Sequence, residues 1–213
     1  HGNTGADHRA AEIQDREVFG MNPKIQMEKV IAGSYHNTAG MVVRKKGDTV
    51  YEKYYNGYAE QNTVQIASVT KSIVSALMGI ALEQGYIESV DQKVLEYFPD
   101  YEVTRGEKSM LEFAAGNLFT PLGIVVRDSI TFNSKEEYLV FQESKDQSAW
   151  VADQEGFNMA GWGLTLSPVD MAKIGQLYLN DGMWDHRQII PAKWVDESTR
   201  EHSRCSQWKY YLC

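Results

Sequence analysis

Cysteine is nearly missing from this sequence of 213 residues: Cys205 and Cys213 are the only two, both within the last nine positions. They cannot staple the body of the chain, and free thiols are the simpler reading. Positive charge is scarce as well. There are 21 basic against 29 acidic residues, net charge −8, and no basic run exceeds Arg44-Lys45-Lys46. That argues against nucleic acid or an anionic membrane surface as a partner. Long hydrophobic runs are also lacking. Ile73 to Leu82 is the longest mostly apolar stretch, half of the ~20 residues a membrane span needs, so a soluble chain without a span is expected. The five histidines, His1, His8, His36, His186 and His202, show no metal-ligand spacing, which argues against a zinc site. No repeat and no low-complexity tract is visible. The chain starts at His1, so the expectation is a processed or trimmed start, and localisation stays open.

A chain of this length can bury roughly 70% of its unfolded surface, enough for one substantial core or two thinly separated lobes. Residues 1–20 are polar and aperiodic and are expected to form a flexible arm. Pro23 to Ala32 predicts a short helix with Ile25, Val30 and Ile31 inward. Met41 to Arg44 and Thr49 to Tyr55, around a Lys-Gly-Asp turn, predict a hairpin. From Ser68 to Glu83 the apolar positions wrap most of a helix that Gly85 ends, so this helix is expected to be central. Ser89 is expected to cap a helix through "VDQKVLEYF", and Met110 to Leu118 a shorter one. The forty residues that follow, including "KEEYLVFQ", give mixed signals and no element. Ser167, Pro168 and Asp170 predict the start of a helix that runs to Gly182, and a last helix is expected from Pro191 to Thr199.

One stretch raises a chemical question. "IASVTKSIVSAL" (Ile66 to Leu77) places Ser68 and Lys71 three apart at a helix start. The S-x-x-K pattern alone proves nothing, since about one is expected by chance in a chain of this size. A second copy, Ser206 to Lys209, sits in an aromatic tail with no helix to present it. At the first copy two readings stand side by side. In one, Ser68 is an N-cap and Lys71 a surface cation. In the other, Ser68 is a nucleophile at the positive end of a helix and Lys71, one turn on, is its base. The second demands a lysine held below its ordinary ~10.4 in a partly desolvated pocket, a setting that a largely buried helix is expected to provide.

The stretch "VQIASVTKSIVSALMGIALEQGYIESVDQKVLEYFPDY" (Val64 to Tyr101) resembles the nucleophile helix of the serine β-lactamase and penicillin-binding-protein superfamily, in particular its class C and esterase-like branch. "LFTPLGI" (Leu118 to Ile124), "GWGLTLSPVDMAKIGQLYLNDGMWDHRQIIPAKWV" (Gly161 to Val195) and the hairpin "GMVVRKKGDTVYEKYYNGY" resemble further parts of that family, in its order. The resemblance implies a mixed α/β fold, with an antiparallel sheet flanked by helices plus a helical lobe. It implies one domain over 21–213, containing a sheet-lobe hairpin at 39–58, the nucleophile helix and helical lobe at 66–182, and a C-terminal helix at 190–200. It also implies that Ser68 attacks a carbonyl, that its backbone N–H is one oxyanion donor, and that Lys71 helps take the hydroxyl proton. Hydrolysis of an amide, β-lactam or ester through an acyl-enzyme would follow, on a small-molecule or peptide-like substrate and with no cofactor. The implied source is bacterial, the compartment periplasmic, extracellular or cytoplasmic.

The sequence also departs from that pattern. The family's Tyr-x-Asn is expected between "YFPD" and "LFTPLGI" and is not there, which marks a junction near Lys108 and Ser109. Tyr54-Tyr55-Asn56 fits the letters but precedes the nucleophile and lies on the hairpin. The family's Lys-Thr-Gly or His-x-Gly strand does not follow Val195. Truncation, or the joining of segments of a longer chain, is the expected cause. Loss of an oxyanion donor costs ~10²–10³ in rate and loss of an acid–base partner ~10²–10⁴, so poor turnover by this literal sequence, or a binding remnant of the fold, is the rival expectation. Trp162, between two glycines, either lines a substrate cleft or packs. Tyr51, Tyr54, Tyr55 and Tyr58 are spaced for strand packing, and Asp170 for a helix-start carboxylate.

Overall fold

The computed structural model describes residues 23–93, 108–204 and 211–212. The expected arm at 1–20, Tyr101, both cysteines and the Ser206–Lys209 pair lie outside the described residues. The chain divides into two compact units, one ending at Ala39 and one beginning at Gly40. In the first, helix α1 spans Pro23–Ser34. Ile31 is buried, but Ile25 and Val30 stay 49% and 54% exposed, contrary to the expectation for all three. At about 100° per residue these positions point to different sides of the helix, so no single stripe can bury them.

The second unit opens with the hairpin β1 (Gly40–Lys45) and β2 (Asp48–Tyr54). Lys46 and Gly47 both adopt positive φ, 55° and 90°, the two-residue turn whose twist suits a hairpin. β1 packs on helix α5 (Pro168–Leu179) so closely that a Cβ at Gly40 would lie 2.9 Å from Pro168 Cγ. Strand β3 (Val64–Gln65) leads through a single 3₁₀ turn, Ala67–Val69, into helix α2 (Thr70–Glu83). Gly85, at φ 75°, ends that helix, with the Tyr86 N–H reaching back to Ala81 O. Residues 89–92 form a turn, in which the Gln92 N–H reaches Ser89 O and Ser89 Oγ accepts the Asp91 N–H. The rest of the helix expected there lies outside the described residues.

Helix α3 (Met110–Ala114) starts at a full capping box between Ser109 and Glu112. It continues as a π turn, Ala115–Phe119, and a 3₁₀ turn, Thr120–Leu122. The stretch without a sequence assignment is a parallel β–α–β unit: β4 (Asp128–Ile130), α4 (Lys135–Glu143) and β5 (Ala149–Val151). Ser134 caps α4 by accepting the Glu137 N–H, and Glu137 reaches back to the Asn133 N–H. Strand β6 (Thr165–Leu166) pairs with β3, and Trp150 of β5 bridges Leu164 just before β6. The antiparallel pair β7 (Met183–Trp184) and β8 (Arg187–Gln188) leads to helix α6 (Ala192–Thr199). The short pair β9 (Ser203–Arg204) and β10 (Tyr211–Leu212) follows.

The fold is mixed α/β, as expected. Among the described residues the strands form five two-stranded pairs, one of them parallel. Among the described residues the hairpin strands pair only with each other, and α5 packs against β1.

Helix α2 is central, as its sequence predicts. Ile73, Ala76, Leu77 and Ile80 join Leu118, Phe119, Trp150, Leu164, Leu177 and Val195 in one buried cluster. Gly79 lets α6 approach: a Cβ there would meet Trp194 Cγ and Cδ1 at 2.2 Å. Gly79→Ala is therefore expected to destabilise the fold by ~1–3 kcal/mol through overpacking, outweighing alanine's better helix propensity of ~1 kcal/mol. Urea unfolding checks this, and a midpoint at or above wild type would refute the Trp194 contact.

Candidate active site

The β3–β6 register sets the site. Val64 pairs with Leu166 and Gln65 with Thr165, and the Ile66 N–H donates to Leu164 O at 3.0 Å. The same antiparallel order, carried two residues further, places Ser68 opposite the turn at 161–163. Ala67 enters the 3₁₀ turn at φ 47°, a left-handed backbone that a non-glycine residue seldom adopts. Thr70 anchors the helix start from inside: it is fully buried, and its Oγ1 donates to Ala67 O at 2.7 Å.

Lys71 Nζ then makes two contacts of 2.9 Å, donating to Ser68 Oγ and to the Gly161 carbonyl 90 positions away. Ser68 is not an N-cap. Neither its 3₁₀ turn nor α2 has a side-chain cap, and its hydroxyl meets the lysine instead. Its N–H lies in the first helical turn, where backbone donors lack intrahelical acceptors. The structure thus brings the two sequence-selected residues together and adds a third group, the Gly161 carbonyl.

The expected desolvated setting is not found. Ser68 and Lys71 are both exposed, because α2 buries its far face and presents this end to solvent. Three cavities among the described residues lie elsewhere. One of about 540 Å³ runs along Leu77, Met78 and Phe113, and two of about 450 Å³ sit at Arg127 with Lys173 and at Phe132 with Val140.

Trp162 is half-buried next to Gly161, with its ring edge-on to Tyr138 of α4 at 5.8 Å. Packing is therefore present, and it occurs beside the Ser68–Lys71 pair. Tyr54 of the Tyr-Tyr-Asn sequence donates its hydroxyl to Glu52 at 2.8 Å. Burial and that carboxylate hold its phenol well above the ordinary range, the opposite of what a base requires. Asp170 accepts from Ser167 Oγ and pairs with Lys173, as a helix-start carboxylate should. Sequence reasoning missed Tyr138, the Gly161 carbonyl and the tryptophan behind it, Trp150. Only the glycine-rich "AGWG" hinted at a close backbone approach.

The family model for Beta-lactamase matches residues 27–117. Among solved structures, the chain is similar to a Bacillus anthracis protein named as a 6-aminohexanoate-dimer hydrolase, at 20% identity and TM-score 0.53, over 84% of this chain and 62% of that one. It is also similar to a Bacteroides dorei protein named as a β-lactamase, at 16% identity and TM-score 0.51, over 84% and 68% of the two chains. A third is the octameric penicillin-binding-protein homologue from Pyrococcus abyssi, at 15% identity and TM-score 0.50, over 86% and 61%. The chain thus spans about six to seven tenths of the length of these structures. No curated protein matches it. No helix of the described residues is long and apolar enough to cross a membrane. Residues 27–117, the segment that contains the Ser68–Lys71 turn, are thus similar to the Beta-lactamase family, and the chain shares its fold with these β-lactamase-like and penicillin-binding-protein-like structures.

Proposed function

We propose that the chain acts as a serine hydrolase through an acyl-enzyme on an amide, β-lactam or ester. The observation that carries this reading is Lys71 Nζ at 2.9 Å from both Ser68 Oγ and Gly161 O. The carbonyl holds one N–H of the amine and so aims the Lys71 nitrogen at the Ser68 hydroxyl, whose proton it takes in this reading. Ser68 Oγ forms a bond to the substrate carbonyl carbon as its proton passes to Lys71, and the Ser68 N–H steadies the oxyanion. The bond to the leaving nitrogen or oxygen then breaks, and that atom takes the proton from Lys71. Water adds to the acyl-enzyme and releases the acid, restoring Ser68. Trp162 supplies an aromatic wall beside the acyl group. The name of the Bacillus anthracis relative supports the reaction class.

Recognition without turnover is the second reading, and the exposure of Ser68 and Lys71 favours it, since water screens their interaction there. Intact-mass measurement separates the two. The protein is weighed before and after exposure to a penicillin and to an activated ester, and the modified peptide is mapped. Mass added at Ser68 supports the hydrolase reading, and a lasting adduct means that deacylation is the slow step. A folded chain that takes no acyl group supports recognition only, and labelling at another serine would sink the assignment.

A further inference from the structure

The turn that offers the Gly161 carbonyl to Lys71 is gripped by two adjacent residues of β5. The Val151 N–H donates to Gly163 O at 3.0 Å, and Val151 O accepts the Met159 N–H at 2.8 Å. Trp150 completes the grip: its indole Nε1–H donates to Met159 O at 3.0 Å. Met159 is thus held through both of its backbone polar groups and Gly163 through its carbonyl. Ala160, Gly161 and Trp162 project between them as a three-residue tip.

Trp150 is fully buried, with its ring against Phe119 at a centroid distance of 6.5 Å. Its backbone pairs with Ser129 of β4 on one side and Leu164 on the other. An indole fixed this firmly is a rigid post. The neighbouring Asn158 is tied down as well, with Nδ2 on Ser129 Oγ at 2.9 Å and on Trp150 O at 3.5 Å, and Oδ1 accepting the Leu111 N–H at 3.0 Å. The two Val151 bonds decide where the turn begins and ends. The indole bond adds a third anchor, on the Met159 carbonyl two residues before Gly161.

We propose that Trp150 is a positioning residue for Lys71: its indole N–H orients the Met159 peptide, and so the Gly161 carbonyl that aims Lys71 Nζ at Ser68. The catalytic consequence rests on the hydrolase reading above, whereas the effect on Lys71 does not. Trp150 never meets substrate and acts only through the turn.

The test uses the full chain with Trp150→Phe, together with an isosteric variant carrying benzothienylalanine at position 150, which keeps the ring shape and replaces the N–H with sulfur. Each protein is treated briefly with dilute N-hydroxysuccinimidyl acetate, and acetylation of Lys71 relative to Lys173 is read by peptide mass spectrometry. Lys173 is a suitable reference because it too donates to a backbone carbonyl, Gly123 O at 2.9 Å, and no part of the Trp150 grip includes it.

Loss of one orienting hydrogen bond is expected to raise the Lys71:Lys173 ratio about three- to tenfold in both variants. Acylation of Ser68 by an activated ester should fall about tenfold, because a small misplacement of the base is costly. A merely structural role for Trp150 would raise both lysines together. A ratio within about twofold of wild type in the isosteric variant would overturn the inference. A changed ratio in a protein whose Ser68 never takes an acyl group would support the positioning role and discard the hydrolase reading alone.

Discussion

Replacing Ser68 with alanine is expected to abolish the acyl adduct, and Lys71→Met to slow its formation by ~10²–10⁴. The two effects have different origins. Ser68→Ala removes the atom that forms the bond. Lys71→Met keeps the length and apolar stem of the side chain but removes the amine that lies 2.9 Å from both Ser68 Oγ and Gly161 O. Both side chains are exposed, so neither substitution leaves a buried group unpaired, and both variants should unfold at the wild-type denaturant concentration. A loss of labelling with unchanged stability therefore reports chemistry. The decisive comparison is rate: the adduct forms at unchanged speed in Lys71→Met if the lysine is only a neighbour of the serine. Adding a primary amine such as ethylamine to Lys71→Met should restore part of the rate, because the open face lets a free amine approach Ser68.

Gly163→Ala is expected to cost ~2–4 kcal/mol of stability. Two penalties add at this position. Its φ of 92° is a backbone that a side chain rarely tolerates, and a Cβ there would lie 2.6 Å from Val151 Cβ. Val151 cannot retreat, because it is 2% exposed and both its N–H and C=O are bonded to the turn. The strain therefore falls on the turn itself and displaces the Gly161 carbonyl. A guanidinium titration gives the stability loss, and the acylation rate of the folded variant gives the consequence for the site. Gly79→Ala is the control, since it strains the α2–α6 contact and leaves the turn alone. If the two variants lose stability to a similar degree but only Gly163→Ala acylates slowly, the turn matters for chemistry. Equal rates would show that it does not.

What the sequence made legible was local. The hairpin turn follows from Lys46-Gly47, the start of α5 from Ser167, Pro168 and Asp170, and the end of α2 from Gly85. In each case a residue's own backbone preference decides the outcome within a few positions. Helix α4 was overlooked because its apolar residues are consecutive and not periodic: Phe141 is buried while Leu139 and Val140 are 44% and 67% exposed. Its capping signal, Ser134 with Glu137, was readable all the same. The N-cap reading of Ser68 fails for a tertiary reason. Its hydroxyl is claimed by Lys71, and Lys71 is held by a carbonyl 90 residues away. A backbone carbonyl has no signature in a sequence, and neither does the indole that steers it. The serine and lysine could be found by spacing and by resemblance, but the groups that hold them emerge only when β3 and β6 are paired.

Ala67 carries a trade that the rest of the site does not reveal. Holding a non-glycine residue at φ 47° costs on the order of 1–3 kcal/mol, and a glycine at the same position would relieve it. Glycine would also give the peptide before Ser68 a wide choice of conformations, and the serine would wander with it. The methyl group narrows that choice: once Thr70 locks the helix start, few backbone states remain to residue 67. The chain thus accepts a less stable resting state in return for a reproducible one. Engineering for thermal resistance alone would favour glycine at this position, and would loosen the backbone just ahead of Ser68.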